Sequence, residues 1–194
     1  MERVSATLVP TLPVPAELSA LKRHATLPMS AIVTARVGTF SRILSVAIVV
    51  VVFVGDQATK VLVERHIPEY AVIPVVRGFF NLTHTKNPGA VFGLFSESPA
   101  TWKTFLLIVA SIALLVTVVG IVLRTRRLQW ETRLGVALIL GGALSNLYDR
   151  VRMGRVLDFL DFYYRSYHWP SFNVADSAIV VGAGFLILQV IFWD

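Results

Sequence analysis

Long apolar runs restrict the folds that this chain can adopt. Of its 194 residues, 55% are hydrophobic and only 15% are charged, whereas about a quarter of the residues in an average soluble domain are charged. A helix of about 20 apolar residues is long enough to cross a bilayer. Four segments reach or approach this length: residues 43–63, 105–123, 134–148 and 174–193. We therefore predict an α-helical membrane protein with four transmembrane helices.

Small residues recur at helical spacing in two of these segments. Ala137 and Gly141 are four residues apart, as are Ala178 and Gly182. Small side chains at this spacing let two helix backbones approach closely, which suits a compact bundle. Gly is also common in membrane helices in general, and this simpler explanation stays open.

Basic residues in short loops predict the orientation, because such loops stay in the cytoplasm. The loop 124–133 is short and strongly basic, so we place it there, together with both chain termini. The long loops 64–104 and 149–173 then lie outside. The second loop also contains four arginines, which we interpret as ion-pair partners of the neighbouring aspartates. They are Arg150, Arg152, Arg155 and Arg165.

Two segments outside the spans have compositions of their own. Residues 1–42 contain scattered prolines and no long apolar stretch, unlike a secretory signal. We predict a mobile cytoplasmic extension there, followed by one membrane domain, residues 43–194. Residues 71–95 are rich in Val and Phe, punctuated by Pro and Gly. That composition favours short strands and turns, with aromatic side chains near the membrane surface.

Polar residues lie at the ends of the predicted spans, and ordinary structural roles can explain each of them alone. Asp56 and Lys60 are four residues apart and can neutralise each other on one helix face. Asp149 and Arg150 can form a surface salt bridge at a helix end. Asn173 can cap the last helix, where an aspartate three positions later suits the positive end of the helix dipole.

Taken together, four aspartates fall at the outer ends of the spans or just beyond them. They are Asp56, Asp149, Asp158 and Asp176. Two carboxylates held close together share one proton, because charge repulsion and desolvation raise the pKa of one of them. The pair then offers one acid and one base, which can activate water for attack on an amide without a metal or cofactor.

Other chemistries have weaker support. The chain has no cysteine, which excludes thiolate chemistry, and it contains neither an HExxH zinc motif nor a GxSxG elbow. A serine–lysine dyad of Lys60 with Ser145 or Ser177 stays open, although no spacing supports it. The net charge of +6 comes from basic residues that form no single helix face, so we expect no nucleic-acid partner.

Two further functions remain as alternatives. One is a small membrane transporter that uses the carboxylates as a proton relay. Relay residues normally lie near the bilayer midplane, often in repeated and broken helices, and no internal repeat is visible in this chain. The other is a membrane scaffold without enzymatic activity, which has no need for four carboxylates at one level.

Four ordered blocks resemble lipoprotein signal peptidase, also called signal peptidase II. They are "DQATK" (residues 56–60), "NLTHTKNPGAVFGLF" (81–95), "GGALSNLYDRVRMGRVLDF" (141–159) and "FNVADS" (172–177). A single block would be weak support, whereas four in this order at the right helix ends are specific. With the spans they extend over residues 43–193. Ser145 departs from its block, in which Gly is more common at that position.

The resemblance implies a fold and an activity. The family is a four-helix membrane bundle with a small extracytoplasmic β-rich cradle, located in the bacterial plasma membrane. It is a globomycin-sensitive aspartyl endopeptidase that cuts diacylglyceryl-modified prolipoproteins just before the lipidated cysteine. The implied partners are these substrates and membrane lipid. The implied protein is a monomer that uses neither metal nor cofactor.

The matching positions also imply roles for individual residues. The catalytic pair would be Asp158 and Asp176, whereas Asp161, in a similar local sequence, would be a loop or surface carboxylate. Ten further residues would bind the substrate or support the site. They are Asp56, Lys60, Asn87, Gly89, Gly142, Asn146, Asp149, Arg150, Asn173 and Ala175.

Several of these supporting roles are specific. Asn146 and Arg150 would contact the substrate backbone near the cut, and Asn87 would help to hold the peptide. Asp149 would orient Arg150, and the Asp–Lys pair of the first span would brace the site. The two residues that flank the start of the last helix would shape the pocket beside the second catalytic aspartate, and loop 71–95 would close over the peptide.

Overall fold

The computed structural model describes residues 29–89, 100–125 and 129–193. Its helices are α1 (Met29–His66), α2 (Ala100–Arg124), α3 (Trp130–Met153) and α4 (Val174–Trp193). Its strands are β1 (Val72–Val76), β2 (Phe80–Asn87), β3 (Val156–Tyr164) and β4 (Tyr167–His168). The chain divides into two units, Met1–Ser41 and Arg42–Asp194, and all four strands belong to the second.

The predicted extension, residues 1–42, lies mostly outside the described residues. Its described part begins at Met29 and is already helical, so α1 starts earlier than the apolar run at residue 43 suggested. The end of the predicted strand-and-turn segment, residues 90–95, also lies outside the described ranges.

Three helical stretches in the described part of the chain are long and apolar enough to cross a membrane. They are Arg42–His66 in α1, Thr104–Arg124 in α2 and Val174–Phe192 in α4. Helix α3 corresponds to the remaining predicted span, but charged residues occupy both of its ends. The prediction of an α-helical membrane protein is therefore confirmed, while the fourth span stays a prediction.

A four-stranded antiparallel sheet follows the order β1-β2-β3-β4. The predicted strands in residues 71–89 are confirmed by β1 and β2, which are joined through a turn at Gly78 with φ 83°. Strand β3 lies in what the sequence showed only as a loop. Its register places Thr85 of β2 opposite Asp158, so the end of β2 reaches that aspartate.

A small apolar core anchors the sheet to the end of α1. Val63 in the last turn of α1 and Ile67, directly after the helix, pack against Leu157 and Phe159 of β3, and all four are buried. Because side chains alternate along a strand, Asp158 points away from the face that Leu157 and Phe159 share. The core thereby sets the direction of the aspartate.

Glycines allow close packing of α3 against its neighbours. A Cβ atom added at Gly141 would lie 2.8 Å from Cβ of Val52 in α1, and one added at Gly135 would lie 2.8 Å from the carbonyl oxygen of Gly182 in α4. The predicted role of small residues in close helix contacts is therefore confirmed at Gly141 and Gly182. These small-residue positions bring α3 close to both α1 and α4.

Gly142 marks the tightest of these contacts, and its replacement by alanine tests it. A Cβ atom there would overlap the carbonyl oxygen of Ala175, so Gly142→Ala should push α4 away from α3. Overpacking of this kind costs roughly 1–3 kcal/mol. We expect a lower melting temperature in detergent. Gly184→Ala is the matched control, because no atom lies within 4 Å of its added Cβ; equal melting temperatures for both variants would contradict the prediction.

Candidate active site

Two carboxylates from different elements meet on one asparagine. Asp158 lies on β3 and Asp176 lies in the first turn of α4. The side-chain amide of Asn173 donates to Oδ1 of Asp158 at 2.8 Å, and its backbone N–H donates to Oδ2 of Asp176 at 3.2 Å. Asn173 is fully buried. One buried residue therefore holds both carboxylates.

Asn173 is also the cap of α4. Its Oδ1 accepts the backbone N–H of Asp176 at 2.9 Å, which makes the pair reciprocal, as in a capping box. The capping role predicted for Asn173 is confirmed. The amide of Asn146 in α3 donates to the other oxygen of Asp176, at 2.7 Å. Capping and site geometry are thus properties of the same residues, and they are not competing explanations.

Asn87 approaches the pair from β2. Its Nδ2 donates to Oδ2 of Asp158 at 3.0 Å, and its Oδ1 accepts the N–H of Gly89 at 2.8 Å. Gly89 has φ 100°, and a Cβ atom there would overlap the side chain of Leu107, so the position requires glycine. This turn agrees with the strands and turns predicted for residues 71–95, and it directs the Asn87 amide toward Asp158.

Burial raises the pKa of Asp158 to about 7. The carboxyl group is only 3% exposed, and loss of solvation is the largest cause, because it disfavours the charged form. The nearby Asp176 raises this pKa further, whereas the hydrogen bonds from Asn87 and Asn173 and the charge of Lys60 lower it. Near neutral pH, Asp158 can therefore hold or release a proton.

A buried lysine braces the site from α1. Nζ of Lys60 donates to Oδ2 of Asp56 and Oδ2 of Asp149, each at 2.6 Å, and to Oδ1 of Asn146 at 3.2 Å. These contacts use all three ammonium hydrogens. The predicted Asp56–Lys60 pair is confirmed. It extends to α3, and Asn146 links it to Asp176.

Asp56 connects the brace to the start of α4. Its Oδ1 accepts the backbone N–H of Ala175 at 2.8 Å, and its side chain is completely buried. A carboxylate at this place satisfies an unpaired N–H of the first helical turn and suits the positive end of the helix dipole. Ala175 directly precedes Asp176, so Asp56 positions that turn.

The serine–lysine dyad finds no support. Oγ of Ser145 donates to Asp56 at 2.7 Å, and Oγ of Ser177 donates to the carbonyl oxygen of Asn173 at 2.9 Å. Neither hydroxyl contacts Lys60 within the described residues. The ammonium group of Lys60 already donates to Asp56, Asp149 and Asn146.

Gln57 belongs to the same network, although it was not among the site residues predicted from the sequence. Its Nε2 donates to Ser145 at 2.9 Å and to Oδ1 of Asp149 at 2.8 Å. Residues three apart share a helix face, so its spacing from Lys60 was the available signal.

Asp149 has a different role from the predicted one. It was expected to pair with Arg150, but it is 1% exposed and bonds Lys60 and Gln57 instead. The prediction of a surface Asp149–Arg150 salt bridge is wrong, because Asp149 faces α1. Arg150 is half-buried, and its Nη1 donates to the backbone carbonyl of Asn146 at 3.2 Å.

The other arginines of this segment were also expected to pair with aspartates. Arg152 instead lies over the ring of Tyr148, 6.0 Å from its centroid, and Arg165 lies over Tyr164 at 5.4 Å. Arg155 is exposed. In the described ranges none of them forms a salt bridge, so this prediction is wrong.

Asp161 is buried, which contradicts its expected place in a loop or at the surface. It lies on β3, is 5% exposed, accepts a hydrogen bond from Nδ2 of Asn81 at 2.8 Å and contacts Nδ1 of His168 at 2.9 Å. Residues three apart on a strand point to opposite faces. Asp161 therefore points away from Asp158.

Across the described part of the chain, no three acidic or histidine side chains group as a metal site.

The chain is similar to a known family of proteins. The family described as signal peptidase (SPase) II matches residues 48–192. A lipoprotein signal peptidase of Desulforapulum autotrophicum is 49% identical over 138 residues, covering 71% of this chain and 85% of the relative. One from Geobacter metallireducens is 44% identical over 155 residues, covering 78% and 90%.

The chain also resembles solved structures. Two bacterial membrane enzymes determined by the in meso method share 28% identity with this chain, with TM-scores of 0.69 and 0.68. The first match covers 78% of this chain and 94% of the solved one, and the second covers 76% and 87%. The chain is a membrane-embedded peptidase and belongs to the signal peptidase II family.

Proposed function

We propose that this peptidase removes the signal peptide from diacylglyceryl-modified prolipoproteins and cuts before the lipidated cysteine, with Asp158 and Asp176 as its catalytic pair. The observation that carries the assignment is the shared hold of Asn173 on both carboxylates. Its relatives from several bacteria are named lipoprotein signal peptidase. Membership of a peptidase family gives no support to the transporter and scaffold alternatives.

The pair supplies the acid and the base of amide hydrolysis. Asp158, with its pKa of about 7, would protonate the oxygen of the scissile carbonyl. Asp176 would take a proton from the attacking water, and the donors of Asn146 and Asn173 hold its carboxylate in place. Water and carbonyl form a gem-diol, which collapses as the C–N bond breaks and a carboxyl proton passes to the leaving nitrogen.

Neighbouring polar groups would bind the substrate backbone. Arg150 is half-buried beside the pair. A guanidinium carries five N–H donors in a planar fork. In Arg150, Nη1 donates to the backbone carbonyl of Asn146. Asn87 lies at the end of β2 with its amide on Asp158. A peptide between them would meet donors on both sides of the scissile bond.

The site would lie at the outer face of the membrane. In this arrangement α3 is the fourth span, both termini are cytoplasmic and the sheet is an extracytoplasmic cradle, with residues 43–194 forming one monomeric membrane domain. Strand β1 is exposed along its whole length although it is apolar. Tyr164, Tyr167 and Trp169 are exposed as well, which suits the membrane interface. A lipidated substrate could then enter sideways with its acyl chains in lipid.

Replacement of each aspartate tests the catalytic pair. We expect Asp158→Asn and Asp176→Asn to lower kcat by about 100-fold to 10,000-fold, because each removes a proton-transfer group. The measurement is cleavage of a diacylglyceryl-modified lipobox peptide by purified enzyme. Asp161→Asn is the matched control on the same strand and should stay active. Near wild-type rates in both catalytic variants would refute the assignment.

The pH profile tests the role of Asp158 as the acid. Its carboxyl group loses its proton as the pH rises through about 7, so kcat/KM should fall on the alkaline side near that pH. The hydrogen bond from Asn87 lowers this pKa, so Asn87→Ala should move the alkaline limb to higher pH. A limb at the same pH in both proteins would show that another group sets it.

The proposed orientation is testable because the chain has no native cysteine. Thr125→Cys lies in the basic loop and Tyr167→Cys lies at an exposed position of β4. In right-side-out vesicles a membrane-impermeant thiol reagent should label only Tyr167→Cys. Labelling of Thr125→Cys alone would reverse the topology.

A further inference from the structure

Two bridges connect Asp56 of α1 with Asp149 of α3. The first is the ammonium group of Lys60, which contacts both carboxylates at 2.6 Å. The second consists of Gln57 and Ser145: Nε2 of Gln57 donates to Asp149 at 2.8 Å and to Oγ of Ser145 at 2.9 Å. Oγ of Ser145 then donates to Asp56 at 2.7 Å. The five side chains form a closed ring, in which we name Gln57 and Ser145 the polar arm.

Only one assignment of donors and acceptors fits the polar arm, with Gln57 donating toward both ends and Ser145 donating to Asp56. An amide NH₂ group has two hydrogens and a serine hydroxyl has one, and all three are engaged within the ring. Ionised carboxylates at both ends accept and do not donate. Ser145 is completely buried. Gln57 is half-buried. Because every side-chain N–H and O–H of the arm is engaged, the network favours one arrangement of its side chains, so the arm restricts the orientation of Asp56.

The ring is linked to Asp176 indirectly, by the backbone of Ala175 and by the side chain of Asn146, whose Oδ1 accepts a hydrogen bond from Lys60. Asp56 accepts the backbone N–H of Ala175, the residue before Asp176. Asn146, which follows Ser145 on α3, donates to Oδ1 of Asp176 at 2.7 Å. Any rotation of the Asp56 carboxylate would therefore disturb its hydrogen bond to Ala175 and shift the first turn of α4.

We propose that Gln57 and Ser145 are positioning residues, whose polar arm orients Asp56 and thereby aligns Asp176 with Asp158 for the reaction. This inference rests on the proposed catalytic pair. Without the arm, Asp56 keeps Lys60 and the N–H of Ala175, so α4 stays docked. The first turn then gains freedom, and small displacements of a catalytic group lower the rate of the chemical step.

The test is a double-mutant cycle with Ser145→Ala, Gln57→Met and the combined variant. Peptide cleavage gives kcat and KM, and thermal unfolding in detergent gives stability. Each single variant should lower kcat about tenfold, the order of one buried hydrogen bond, with KM changed less than about twofold. The combined variant should be no worse than about tenfold, because the arm acts as one unit.

Thr59→Val is the matched control. Its hydroxyl also lies in α1 next to this network, but among the described residues it bonds only the carbonyl oxygens of Gly55 and Asp56 in its own helix. It should leave kcat unchanged. A lower melting temperature with unchanged kcat in the arm variants, or an effect of about a hundredfold in the combined variant, would overturn the inference.

Wild type and Asp158→Asn, measured in the same assay, distinguish a failure of this inference from a failure of the proposed function or catalytic pair. Wild-type cleavage that Asp158→Asn abolishes supports the pair, and the arm variants then decide the inference alone. An inactive wild type would refute the proposed function, and an active Asp158→Asn would refute the pair. Either result would also refute the inference about Gln57 and Ser145, because that inference rests on the catalytic pair.

Discussion

The buried ammonium group of Lys60 is the interaction on which the site depends. It lies between two carboxylates and an amide oxygen, with almost no exposure to solvent. A carboxylate in such surroundings is stable only when it is paired and hydrogen-bonded, and removal of one partner leaves an uncompensated buried charge. Lys60 therefore allows Asp56 and Asp149 to stay inside the bundle, where their remaining oxygens hold α4 and Gln57.

Helix capping and the proposed catalytic pair share residues at the start of α4. Asn173 caps the helix with its Oδ1 and holds Asp158 with its Nδ2. The positive end of the helix, the cap and the second carboxylate are thus assembled by one short stretch. Because the same residues serve both purposes, helix capping alone was a sufficient explanation for Asn173 when that residue was considered by itself. A stable helix start and an aligned carboxylate pair require the same geometry.

Sequence reasoning worked well where the signal is local. The apolar helices, the Asn87–Gly89 turn and the Asp56–Lys60 pair depend on composition or on spacing along one helix, and the structure contains all of them. Sequence reasoning failed where the contact depends on the direction in which a side chain points. Asp149 faces α1 and not Arg150, and Gln57 joins α3 through contacts that no spacing in the chain displays.

By itself the sequence determined that this chain is a helical membrane protein with aspartates near the ends of its spans, because length and apolar character are read residue by residue. Its ordered blocks also indicated the family. Only the tertiary structure decided which side chains share a partner. Asp158 and Asp161 lie in nearly identical local sequence, yet the alternation of β3 and the apolar core beneath it turn only Asp158 toward Asn173. Such convergence depends on packing between elements far apart in the chain.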